Sequence, residues 1–300
     1  EEGDKIGLQI GTLNKKINKI MVTLDVLESV VDEAINKGVD LIIAHHPPIF
    51  RPLANVTPDS VAGRVVTKCL QHNITVYVAH TNLDVAKGGV NDLLANALQL
   101  ENTKVLAETK EDKLKKLVVF VPETHVEVVR EAISLAGAGH IGNYSHCTFN
   151  IDGEGTFKPL DGTTPFIGEV GNIEIVKEKR LETIIPTSIE KKVVNAMVKA
   201  HPYEEVAYDI YPLENSGEKL GLGRIGKLPK SMTLLQFAEH VKQSLEIENV
   251  RVVGPLDATV EKVAVLGGDG NKYIYQAKFA GADVYVTGDL YFHVAHDAMG

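Results

Sequence analysis

The feature of this sequence that most constrains its fold is a short apolar run that stops at four residues of fixed character. Residues 39–44 read VDLIIA, and His45, His46, Pro47 and Pro48 follow at once. An almost wholly apolar run of that length marks a strand buried on both faces of a parallel sheet. Upstream, residues 19–25 alternate apolar and polar as a strand does, and LESVVDEAINKG has helical spacing closed by Gly38 as a C-cap. Downstream come a helix over about residues 59–72, the strand ITVYVA, the loop HTNLDVAKGG and a helix opening near Asn91. The unit is βαβαβ. Such units build parallel sheets with right-handed crossovers, and their ligands gather beyond the carboxyl ends of the strands.

A chain of 300 residues exceeds what one ordinary core organises, so more than one domain is expected. The pattern changes near Glu111, where the charged run KEDKLKK precedes the strand LVVFVP and the helix VEVVREAISLAG. Past a Gly-rich stretch come the strand RLETIIP, a helix around IEKKVVNAMVKA and the strand EVAYDIYPL, which together predict a ferredoxin-like α+β module. After ENSGEKLGLG the α/β patterning returns, with KVAVLGG and ADVYVTG as strands around a helix. One α/β domain interrupted by another is therefore expected: residues 1–112 and 216–300 on either side of an insert at 113–215.

The formal net charge of -9, without a local basic patch, argues against nucleic acid as a partner. No stretch approaches the roughly 20 apolar residues of a membrane span. Cys69 and Cys147 are too few for a disulfide framework, and no basic, apolar leader opens the chain, so a reducing cytoplasm is expected. No GxSxG elbow occurs and Cys69 falls in a helix's apolar pattern, which removes the usual serine and cysteine nucleophiles.

What remains is metal chemistry. His45 and His46 end one strand, held by two prolines, while His80 and Asp84 leave the end of the next. Nitrogen and oxygen donors together suit zinc first, with iron or manganese as alternatives, and a carboxylate can bridge two ions. A lone histidine before proline more often satisfies loop carbonyls, but two polar pairs at neighbouring strand ends favour a site. A third polar group, Thr287 to Asp289 with His293 and His296, follows the last strand and is expected at the same rim. His293 is there either a hydrogen-bond partner of a ligand or substrate, or a helix cap or surface residue. His80 and His293 are the candidate proton carriers, because imidazole titrates near neutral pH. GGDG at residues 267–270 lacks the spacing of a dinucleotide or P-loop motif and is read as a tight turn. HCTFN and HPYEE in the insert are read as packing before pocket lining.

Together GDKIGLQIG, DLIIAHHPPIF, AHTNLDVAKGGVND and VYVTGDLYFHVAHDA resemble the GTP cyclohydrolase I type 2 homologue family, the Nif-three-like dimetal proteins. GAGHIGNYSHCTFNIDGEGTFKP, PFIGEVG and AHPYEEVAYDIYPL resemble the PII-like or CutA-like insert of its longer bacterial members. The resemblance implies a Nif-three-like α/β/α domain carrying that insert, with His45, His46 and Asp84 as metal ligands and two divalent ions bound. It further implies a homohexamer with an internal cavity. Family members add a histidine and a glutamate from a C-terminal Gly-His motif, and the sequence stops at Gly300 before one, so these ligands are expected beyond the given end. The function implied is a dinuclear metal-dependent hydrolase acting on a nucleotide or related small molecule; the alternative is a non-enzymatic metal-binding assembly, metal chaperone or sensor.

Overall fold

The computed structural model describes residues 3–299. The chain divides into two compact units, one made of residues up to Thr109 together with Leu220 onward, the other of Lys110–Lys219.

The first half of the outer unit runs β1 (Gly7–Ile10), β2 (Ile20–Thr23), α1 (Glu28–Asn36), β3 (Leu41–Ala44), α2 (Val61–Gln71), β4 (Thr75–Val78), α3 (Thr81–Val85), α4 (Val90–Ala97) and β5 (Glu101–Asp112). Strands β2, β3 and β4 pair in parallel and β1 joins β4 antiparallel, giving the order β1-β4-β3-β2. The pleat sends alternate side chains to opposite faces. Ile42, Ala44, Val76 and Val78 go to the face that buries Val31, Ala34, Val65 and Cys69 of α1 and α2. Ser60 starts α2 by accepting a hydrogen bond from Gly63 N–H at 3.0 Å. On the opposite face Val22, Ile43, Tyr77 and Leu8 stand in one cross-strand row, and Val22 is 79% exposed. The apolar run of β3 thus predicts burial on both faces, whereas α1 and α2 cover one.

The inner unit contains β6 (Leu114–Pro122), α5 (Val126–Leu135), β7 (Thr148–Phe157), β8 (Glu174–Pro186), α6 (Glu190–Ala200) and β9 (Tyr208–Pro212). Its sheet has the order β7-β8-β6-β9 with every pairing antiparallel. This is the ferredoxin-like βαββαβ arrangement. Leu117, Val119 and Val121 alternate inward from β6 and pack against Val129 and Ile133 of α5 and Val193 and Met197 of α6. The sequence pattern does not show β7, because TFNIDGEGTF is largely exposed and mixes glycines and acids with its apolar residues. What holds it is a ten-residue ladder to β8, a non-local cause.

The outer unit resumes with β10 (Glu218–Thr233), α7 (Leu234–Ser244), β11 (Thr259–Asp269), α8 (Ile274–Phe279), β12 (Val284–Asp289) and α9 (Phe292–Met299). Thr233 and Gln236 close a reciprocal capping box at the start of α7. A second sheet forms in the order β12-β11-β10-β5. The strands before His293 belong to this second sheet and not to the one that carries His45 and His80. Among the described residues no helix is long and apolar enough to cross a membrane.

Candidate metal centre

Parallel pairing aligns the carboxyl ends of β2, β3 and β4 along one edge, where strand hydrogen bonding stops and side chains are free to turn toward a common point. Asp25 lies just past β2, His45 and His46 just past β3, and His80 just past β4. Because β1 runs antiparallel to β4, its amino end reaches the same edge, and Asp4 precedes it there. His45 N–H still donates to Thr23 O at 3.2 Å and His46 N–H to Leu24 O at 2.8 Å, so the backbone stays pinned until Pro47. Thr81–Val85 forms α3 where a loop was expected, and it carries Asp84 one helical turn beyond His80, with Asp84 N–H donating to His80 O at 3.2 Å.

The three imidazoles meet. One ring nitrogen from each of His45, His46 and His80 lies within 4.8 Å of the others. Ring centroids are 5.1 Å apart for His45 and His46, 5.2 Å for His45 and His80, and 5.8 Å for His46 and His80. Asp84 Oδ1 is 3.7 Å from His45 Nε2. Each ring is also held from behind through Nδ1: His45 to Ala79 O at 2.9 Å, His46 to Asp25 Oδ1 at 2.8 Å, and His80 to Asp4 Oδ1 at 2.8 Å. A carbonyl and an ionised carboxylate only accept, so in the neutral ring Nδ1 carries the hydrogen and Nε2 presents its lone pair. Such anchoring fixes tautomer and ring direction in metal-binding histidines.

The anchors differ in strength. The Asp4 side chain is only 7% exposed and also accepts from Thr81 N–H at 3.2 Å and from the Thr81 hydroxyl. Burial alone would raise its carboxyl pKa, but the Thr81 hydroxyl, His80 and Lys5 N–H outweigh it and lower the value to about 2. Asp25 and His46 are both 47% exposed. Asp84 is the reverse of Asp4: burial raises its pKa, opposed by His45 and His80. A partly desolvated carboxylate beside three imidazoles aimed at one point is a donor set that a divalent cation fits, since the cation would favour the ionised form.

Sequence reasoning named His45, His46 and Asp84 as ligands and His80 as a proton carrier; the structure places all four together. It did not find Asp4 or Asp25, although Asp4 sits in the quoted GDKIGLQIG and Asp25 ends the strand-like alternation. His293 is different. It lies exposed on α9 with its ring 5.4 Å from Phe292, and no described hydrogen bond, ion pair or ring contact joins it to the histidine cluster. Helix α9 follows β12, which belongs to the second sheet.

The GGDG segment, expected as a tight turn, is instead the end of β11, with residues 267–269 in the strand and Gly270 just past it. Gly270 N–H donates to Thr287 Oγ1 at 3.0 Å, the Thr287 hydroxyl donates to Gly268 O at 3.0 Å, and Tyr285 OH donates to Gly270 O at 3.0 Å. Asp269 accepts from Asn271 and from Tyr291 OH. In the insert, His201 Nε2 donates to Phe120 O at 2.9 Å while its Nδ1 accepts from Tyr203 N–H at 3.1 Å, which makes HPYEE a pin in the packing.

A family model described as Duf34/NIF3 (NGG1p interacting factor 3) matches residues 1–300. A protein of Bacillus subtilis (strain 168) named GTP cyclohydrolase 1 type 2 homolog is 67% identical over 298 residues, covering 99% of this chain and 80% of that protein. The protein of the same name from Halalkalibacterium halodurans is 59% identical with the same coverage. Among solved structures, a Bacillus cereus protein related to NIF3 superposes with a TM-score of 0.92 at 64% identity, covering 99% of this chain and 80% of that one. Staphylococcus aureus protein SA1388 gives a TM-score of 0.71 at 31% identity, covering 99% and 78%.

Proposed function

Because the chain belongs to the Duf34/NIF3 family, we propose that it is a divalent-metal-binding protein that works as a metal-dependent hydrolase on a nucleotide or related small molecule. The observation that carries this reading is the convergence of three imidazoles, each anchored through Nδ1, beside the partly buried carboxylate of Asp84. His45, His46, His80 and Asp84 would hold the metal, so His80 serves as a ligand in this reading and not as a free proton carrier. When bound there, a divalent ion supplies Lewis acidity toward a carbonyl or phosphoryl oxygen and makes a water more acidic. Asp4 and Asp25 keep the rings oriented, and the Asp25 side of the cluster, about half exposed, is the open approach for a substrate. The nucleotide class is suggested by the name of the relatives, GTP cyclohydrolase 1 type 2 homolog. Zinc is the first choice of ion, with iron or manganese next, for a site of nitrogen and oxygen donors; Asp84 is the residue suited to bridge a pair.

Two further parts of the reading concern the whole protein. Assembly of several copies, a hexamer by family resemblance, is supported by the apolar row on the uncovered face of the first sheet, where Leu8, Ile20 and Val22 are exposed. A cytoplasmic location is supported by two free cysteines.

Elemental analysis of protein purified without chelator tests the site: the wild type should carry a divalent metal, and His45→Ala and Asp84→Ala should carry less. Equal metal in all three would refute it. Incubating metal-loaded protein with GTP and a panel of phosphoesters tests the hydrolase. Turnover that disappears with chelator supports it, and none across the panel leaves the non-catalytic metal-binding assembly as the better reading.

A further inference from the structure

Asp84 sits near the carboxyl end of a five-residue helix, where backbone carbonyls lack intrahelical partners. So short a helix does not hold itself in place. The partner comes from the next helix: Asn91, 1% exposed in the first turn of α4, donates its side-chain N–H to Asp84 O at 2.9 Å. The other end of the same amide is occupied as well, since Asn91 Oδ1 accepts from Gly267 N–H of β11 at 3.0 Å. Gly267 allows this approach, because a Cβ there would crowd Leu94 at 3.2 Å and Val90 at 3.3 Å. Asn91 therefore spans from the segment that carries a proposed ligand to a strand of the second sheet. A buried amide with both ends satisfied is rigid, and leaving either partner bare strands a buried polar group.

The surrounding loop is built to the same end. Gly89 lies against Leu83 O so closely that any side chain would overlap it. Asp92 accepts from Gly88 N–H at 2.6 Å and is gripped by Arg224 of β10. Those contacts fix the loop and the start of α4, and Asn91 alone among them reaches the Asp84 residue itself.

We infer that Asn91 is the positioning residue for Asp84, setting the carboxylate's reach toward His45 through the Asp84 carbonyl and tying that setting to β11. This rests on the metal-binding reading above. Asn91 touches no metal or substrate in this arrangement; it acts through Asp84.

The test is titration of the metal-free chain with cobalt(II), read by visible absorption, which reports both affinity and coordination. Three variants are compared with the wild type. Asn91→Ala removes both hydrogen bonds. Asn91→Asp keeps an acceptor for Gly267 N–H but has no donor for Asp84 O. Val241→Ala opens the α7 core, so it lowers stability without touching the loop. The expectation is that both Asn91 variants bind cobalt at least about 10-fold more weakly with an altered spectrum, as outer-shell partners of metal ligands do, while Val241→Ala matches the wild type. Wild-type affinity and spectrum in both Asn91 variants would overturn the inference, as would an equal loss in Val241→Ala. Should Asn91→Ala not fold, Asn91→Asp decides. A wild type that takes up no cobalt overturns the metal-binding reading, and this inference with it; binding by the wild type separates the two failures.

Discussion

Asp4 and Asp25 hold chemically similar histidines in different surroundings, and the difference predicts unequal consequences. Asp4 is nearly enclosed and bonds His80 and Thr81 together, whereas Asp25 and His46 are half exposed, where solvent and salt screen the pair. Asp4→Asn should weaken divalent-metal binding by about 10–100-fold, the usual cost of losing an outer-shell partner. Asp25→Asn should cost several-fold less. Competition against a chromophoric chelator measures both, and an equal or reversed ranking would show that enclosure does not set the value of these anchors. At this scale the clustered residues were legible in the sequence because their signal is local: His45 and His46 just past one strand before two prolines, and His80 with Asp84 just past the next. Asp4 and Asp25 were not, since an aspartate before one strand and another after a second gain their role from antiparallel and parallel pairing that no short window displays.

At the scale of elements, the tie between α4 and β10 contributes to the outer unit's sensitivity to acid. Arg224, 5% exposed, donates to both carboxylate oxygens of Asp92 and to the carbonyls of Gly221 and Gly223. Arg224 is the main cause that lowers the Asp92 pKa from the usual 3.8; burial opposes it and Gly88 N–H adds to it. A carboxyl depressed on folding stabilises the fold fully above its unfolded value, and the contribution is lost as pH falls through the lower folded value. The urea midpoint of the metal-free wild type should therefore drop below pH 4 more steeply than that of Asp92→Asn. At pH 7, Asp92→Ala should cost about 3–5 kcal/mol, because it leaves the guanidinium buried and unpaired. A loss under about 1 kcal/mol would mean that water reaches Arg224 in the variant. The end of β11 gives a second case: any side chain at Gly270 would overlap Tyr285 and Thr287, so Gly270→Ala should lower thermal stability, whereas Gly88→Ala, with open space around it, pays mainly for its positive φ.

Elements with self-contained periodicity, such as β3, α1 and the inner-unit helices, could be read directly. Strands β5, β7 and β10 could not, because they are long and rich in charge or glycine, so no clean alternation marks them, even though β10 buries Ile225 and Leu228. Missing β5 and β10 also hid the second sheet, to which the strand before His293 belongs.

For the whole molecule, the two-unit division predicts independent folding. The chain leaves the outer unit along β5 and re-enters it along β10, which are neighbours in one sheet, and the Thr109 hydroxyl donates to Leu220 O at 3.4 Å. Joining those two residues through a short turn should leave an outer unit that folds and retains the histidine cluster. Lys110–Lys219 expressed alone should unfold in a single cooperative transition around its own core of Leu117, Val119, Ile133 and Met197. Loss of metal binding on excision would show that the inner unit contributes to the site.

The central claim is that one sheet edge gathers three imidazoles and a carboxylate into a place for a divalent ion. Crystals of the zinc-loaded protein, measured on both sides of the zinc absorption edge, locate the ion without any assumption about activity. The account predicts an anomalous peak at bonding distance, about 2.0–2.2 Å, from ring nitrogens of His45, His46 or His80 or an oxygen of Asp84. Zinc found only elsewhere on the protein, with nothing among these four side chains, would contradict it.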